Sequence, residues 1–232
     1  MSNNDLFALD ADVEVQAASD SLGKFTLDSA LHQLVIKMAY LDAAPSGAQF
    51  SRIILGNNKD DRTNSFDVYF TSKADPKSLT AVNKGGKKVP TYGYSVLNDL
   101  CLRAAGCSLK EVEVETKQVK VWVNRKEELQ PRKVLLSLIN KPIAVGIIEV
   151  KEDKYDNPGI KVLKNELDKF FDAETLLTTA EIAEGKTEAK FAEAWKAKWE
   201  GQIKDKTTAA TSLPGAPAAG NASGNAPDLF AE

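Results

Sequence analysis

The chain has 232 residues, 43% hydrophobic and 27% charged, with a formal net charge of -3. That length suffices for one sizeable core with appendages; the charge excludes a protein that is basic throughout but not a local basic groove. One histidine and two cysteines exclude histidine triads and multi-histidine metal centres, and the absence of a leader or an apolar spanning run leads us to expect a soluble intracellular protein in a reducing compartment.

In chain order, residues 1–28 form an acidic arm with six acids and one lysine, and short apolar pieces at Leu6-Phe7 and Val13-Glu14-Val15. Ala30 to Leu41 alternates, with Leu34, Ile36, Met38 and Tyr40 expected on one face. Its Ala, Leu, Lys and Met also suit a helix. The strand is preferred because Ala44-Pro45-Ser46-Gly47 then turns into a second strand, Ala48 to Leu55, which carries Phe50 and Arg52 on one side. After the turn cluster Gly56 to Asp61, Phe66 to Thr71 alternates as a third strand, and Asp67 and Tyr69 share the face away from Phe66, Val68 and Phe70. Three strands with short turns make a meander.

Lys84 to Tyr94 reads as a glycine-punctuated loop holding Lys84, Lys87, Lys88, Tyr92 and Tyr94. It fits either a polyanion-binding rim or a solvated surface loop. A helix follows from Ser95, the expected N-cap, to Gly106, the expected C′ residue, and Cys101 packs on it as a small hydrophobe. Lys117 to Val123 alternates as a strand with Val119, Val121 and Val123 opposite Lys120 and Trp122. Arg125-Lys126 is expected to open a turn ending near Pro131, with a short helical turn at Val134 to Ile139. Ile143 to Val150 is a strong strand, and Asp156-Asn157-Pro158-Gly159 turns into Ile160-Lys161-Val162.

Thr187 to Lys204 reads as a helix with Phe191, Trp195 and Trp199 four apart, a stripe that favours packing over a ladder for bases. From residue 207 the composition is Ala, Gly, Pro, Ser, Thr and Asn, too poor in apolar residues to build a core. The tail ends in Asp228, Leu229, Phe230 and Glu232, which fits a partner-docking tip or a frayed terminus. The expected organisation is thus an arm (1–28), a β-domain (29–175), a helical extension (176–206) and a tail (207–232). The expected class is mainly β (α+β), and the element order suits a five-stranded OB barrel with an inserted β-ribbon, one helix between strands 3 and 4, and a C-terminal helix.

No phosphate-binding loop, dinucleotide fingerprint or zinc-protease motif is present, so nothing nominates an enzyme, and no metal or cofactor is expected. From Lys84 to Lys141, basic residues outnumber acids about two to one. Cationic amines neutralise phosphates, and aromatic rings offer faces to unpaired bases. The candidate phosphate contacts are Arg52, Lys84, Lys87, Lys88, Lys120, Arg125 and Lys126; the candidate stacking rings are Tyr69, Tyr92, Tyr94 and Trp122. Each ring also fits a core or surface role, and Trp122 fits either stacking or packing. An alternative is a non-catalytic assembly module that docks through the Trp195/Trp199 helix.

The Asp67-to-Ser72 strand, Asn98-Asp99-Leu100-Cys101-Leu102 after Tyr92-Gly93-Tyr94, Asn140-Lys141-Pro142 followed by Val145-Gly146-Ile147, and Asn165 to Phe171 carry a resemblance. Over residues 20 to 175 the chain resembles phage-encoded single-stranded DNA-binding proteins. The resemblance implies an OB fold, sequence-independent binding of single-stranded DNA in replication and recombination, and a place in the cytoplasm of an infected bacterial host. It also implies a tail that docks replication proteins or competes with DNA. This tail has few acids for the pattern, which shifts the expectation towards hydrophobic docking through Leu229 and Phe230.

Overall fold

The computed structural model describes residues 26–57, 62–123 and 126–207. The arm to residue 25, turn residues 58–61, Arg125, and the tail from residue 208, with Asp228, Leu229, Phe230 and Glu232, lie outside them.

The fold is mainly β and is built around one long strand, β1 (Ala30–Ala43). The turn at Ala44–Gly47, where Gly47 takes φ +85°, returns the chain as β2 (Gln49–Gly56), and β3 (Thr63–Tyr69) completes the antiparallel meander. The other edge of β1 is shared. Its first half pairs with β8 (Pro142–Lys154), from Ala30 opposite Ile147 to Val35 opposite Pro142. Its second half meets β7 (Lys126–Leu135) at Tyr40–Val134 and Leu41–Lys133. β7 is the return strand of a hairpin with β6 (Val114–Val123), and β8 continues into a long hairpin with β9 (Asn157–Phe171).

One expectation for β1 is corrected by a bulge between Ile36 and Met38. An extra residue reverses the facing of everything after it. Ile36 therefore lies in the main core with Ala39, whereas Met38 and Tyr40 face a separate cluster with Val119, Val121 and Val134. Of the turn expected from Arg125 to Pro131, the described part from Lys126 onward is instead strand β7, which stays exposed from Lys126 to Leu129 and so lacks apolar alternation. The helical turn near Val134 shrinks to a 3-10 turn at Leu136–Leu138.

The lysine loop is also more ordered than its glycines suggest. β4 (Thr80–Val82) and β5 (Lys88–Pro90) form a two-stranded ribbon. Asn83 makes its turn: the side-chain oxygen accepts from the N–H groups of Gly85 (3.1 Å) and Lys87 (2.9 Å), and Gly86 takes φ +76°. Helix α1 (Tyr92–Ala104) begins earlier than expected, with Thr91 as N-cap in place of Ser95. The Thr91 hydroxyl oxygen accepts from Tyr94 N–H at 3.2 Å and the hydroxyl donates to Phe70 O at 2.8 Å, joining the helix start to the end of β3. Gly93 makes this approach possible, since a Cβ there would lie 1.8 Å from Tyr69 O. Gly106 ends the region at φ +69°, as expected.

β8 is buried on both faces. Ile143, Val145 and Ile147 enter the main core; Ala144, Ile148 and Val150 face Trp195 and Phe171. The C-terminal segment forms α2 (Thr179–Ala183), which packs against α1, then α3 (Lys190–Trp199), which covers this second face, and β10 (Ile203–Asp205). The helix expected to run to Lys204 thus ends at Trp199, and the chain goes on as a strand parallel to β8. Trp195 is 4% exposed, its ring lies against Gly146, and its indole N–H donates to Asp168 at 2.7 Å. The resulting eight-stranded sheet is not closed into a barrel: among the described residues no ladder joins β3 to β9, and α1 packs against both.

Trp195→Ala is expected to cost ~3–5 kcal/mol in urea denaturation, as deletion of a buried aromatic does. Trp122→Ala, at a 70% exposed position, should stay within ~0.5 kcal/mol. Burial pushes the Cys101 thiol up to about 12, with Cys107 nearby adding to the effect, whereas Cys107 is part-exposed. A thiol reagent near pH 8 should therefore label Cys107 in the folded protein, and Cys101 only on unfolding.

Candidate functional site

The outer face of the meander carries the first group of site residues. Register places Asp42, Phe50 and Tyr69 in one row across β1, β2 and β3, and Tyr40, Arg52 and Asp67 in the next. Tyr69 is 49% exposed and rests on the buried Phe50 ring, centroids 5.1 Å apart and planes at 38°. Arg52 donates from Nε and one terminal nitrogen to the two oxygens of Asp67, both at 2.7 Å, and its guanidinium lies 5.5 Å from the Phe50 centroid. The hydrogen bond with Asp67 holds the Arg52 pKa further above its already high ordinary value, so the group is a permanent cation.

Two hairpins leave the same end of this face. The β4–β5 ribbon departs where β3 ends, tied by Thr91 N–H to Leu79 O at 2.9 Å as well as by the Thr91–Phe70 bond. Lys84, Lys87 and Lys88 are exposed on it. Between Ser72 and Pro90 there are five lysines and one acid, Asp75, and among the described residues none of the five is ion-paired. The β6–β7 hairpin is fastened on the other side, with Arg132 Nε 3.1 Å from Asp42. Its inner face buries Val119 and Val121; Lys120 and Trp122 are on its outer face, as their alternation predicts. Lys120 lies 3.7 Å from Glu127, a loose exposed pair, and Lys126 is exposed.

The tyrosines of the helix start separate. Tyr92 is 78% exposed and lines, with Tyr69, a cleft of about 570 Å³ between the free edges of β3 and β9. Tyr94 is half-buried and packs on the main core, so it does not join the exposed rings. Arg125 is outside the described residues. The arrangement thus gathers Arg52, Tyr69, the ribbon lysines and the Lys120/Trp122 hairpin around one end of the meander, with Tyr92 at its margin. Among the described residues no group of three potential metal ligands converges.

Sequence reasoning missed Phe50 as the support of Tyr69, Asp67 as the partner of Arg52, and Lys73 and Lys77 as further cations near the ribbon. The lysines were open to view in the composition of the 72–90 segment. The two pairs depend on the β2–β3 register, which local alternation does not specify. Comparison of the chain with protein-family models and with curated proteins finds no match in either.

Proposed function

We propose that this is a non-catalytic, sequence-independent single-stranded DNA-binding protein that coats and protects single strands during phage DNA replication and recombination. The observation that carries this reading is Tyr69, a half-exposed ring backed by Phe50 on an open sheet face, beside a ribbon of lysines free of carboxylate partners among the described residues. A ring face accepts any base, and unpaired amines release counterions from phosphates, so together they bind single strands without reading sequence. Trp122 and Lys120 on the second hairpin extend the same chemistry.

The finer fold reading is a variant of the OB layout, in which β1, β2, β3, β8 and β9 correspond to its five strands and α1 follows the third. What supports it is the strand order and the position of α1 between the free edges of β3 and β9. The tail with Leu229 and Phe230 is proposed to dock replication proteins or to compete with DNA.

The test is a fluorescence titration with single- and double-stranded oligonucleotides, using the full chain and one ending at residue 206. Tight binding of single strands that weakens with salt is expected; no binding at low salt by either chain would sink the reading. Tyr69→Ala should weaken binding by ~1–3 kcal/mol, the usual worth of one stacked base. Replacing Lys84, Lys87 and Lys88 together by Gln should flatten the salt slope by about 2, at roughly 0.7 per phosphate contact on a single strand.

A further inference from the structure

Arg52 is held in a way that a phosphate contact does not require. The edge of its guanidinium that best matches an oxyanion is already filled by Asp67, through two parallel bonds of 2.7 Å. Its charge is thereby offset by an adjacent carboxylate. Its plane, in contrast, is held from two directions: Asp67 holds the fork, and the buried Phe50 ring lies against one side of the guanidinium, its centroid 5.5 Å from the guanidinium carbon. The side chain is 31% exposed on the open face of the sheet. A planar cation with its hydrogen-bonding edge occupied still has a polarisable face, and guanidinium planes stack on unpaired bases.

Position strengthens the argument. Tyr69 stands opposite Phe50, and Asp67 opposite Arg52, so Tyr69 and Arg52 are diagonal neighbours on adjacent strands. Diagonal side chains in an antiparallel pair are ~7–8 Å apart at the backbone, within reach of one another for long side chains. Resting on the single-strand reading above, we propose that Arg52 is a stacking platform for an unpaired base, with Asp67 as the positioning residue that holds its plane, so that Tyr69 and Arg52 receive neighbouring bases.

The experiment uses the full chain and two oligonucleotides of equal length, oligothymidylate and a strand of abasic sites, titrated over a range of salt. Arg52→Lys keeps the charge and loses the plane; Arg52→Met keeps much of the packing beside Phe50 and loses both; Asp67→Asn keeps the arginine and releases it. All three are expected to lose about tenfold on oligothymidylate, the lower range for one stacked base. For Arg52→Lys and Asp67→Asn, affinity for the abasic strand and the salt slope should stay at or above the wild-type values. Asp67→Asn is the sharpest variant, because it makes the protein more positive and simple electrostatics predicts tighter binding.

Arg52→Lys at wild-type affinity would overturn the proposal. So would equal losses on both strands, with the Arg52→Met slope reduced by about 0.7, which would mark a phosphate contact. The ratio of base-bearing to abasic affinity is a readout that general damage to the fold does not move selectively. A wild-type chain that binds neither strand would overturn the single-strand reading itself; one that binds both, with variants unchanged, would overturn the platform alone.

Discussion

The structure depends on β1 serving three partners and two cores at once. One edge runs the length of β2, while the other is divided between β8 and β7. A regular strand would send Leu34, Ile36, Met38 and Tyr40 into the same space. The bulge between Ile36 and Met38 splits them, so the first half of the strand faces the main core and the second half turns Tyr40 towards the β6–β7 hairpin. That hairpin therefore has a floor to rest on. Without the buried contacts of Val119 and Val121 with the Tyr40 cluster, its exposed Trp122 face would have no fixed position beside the meander.

Two glycines do comparable work for the helices. Gly93 lets the first turn of α1 lie directly on the backbone of Tyr69, and Gly146 leaves room for the Trp195 ring on β8. In each case a methyl group would collide with backbone or with a buried ring. The Gly93 contact matters most for the exposed face. It ties the end of β3, the Thr91 cap and the base of the lysine ribbon into one junction, so the position of Tyr69 and the direction of the ribbon are set together.

Much of this was legible in the sequence where one face is buried and the other solvated. Alternation gave the meander, the opposite facing of Val119 and Trp122, and the shared face of Asp67 and Tyr69; the apolar run gave β8. The bulge was not legible, because both registers of β1 place apolar residues on apolar surface. β7 was hidden because its first residues, Lys126 to Leu129, are exposed on both faces and carry no hydrophobic period, and its charges and Pro131 resemble a turn. Ser95 is a good cap by composition, but Thr91 caps because its hydroxyl also satisfies Phe70, a partner known only once the chain is folded. The same holds for the site: the exposed rings followed from local pattern, whereas the Arg52–Asp67 pair followed from register.

Charge placement shows why a net of -3 is a poor guide to this surface. Along the β8–β9 hairpin and β10, lysines are matched to carboxylates: Lys161 with Asp153, Lys164 with Glu152, Lys206 with Glu166 and Lys151 with Asp205. These pairs are exposed and each contributes little stability, but they cancel one another's field at a distance. The ribbon lysines have no such partners among the described residues, so their field extends outward from the Tyr69 end of the sheet. A chain can thus be acidic in sum and still present one positive edge. What makes that edge positive is less the number of its lysines than the neutralisation of lysines elsewhere.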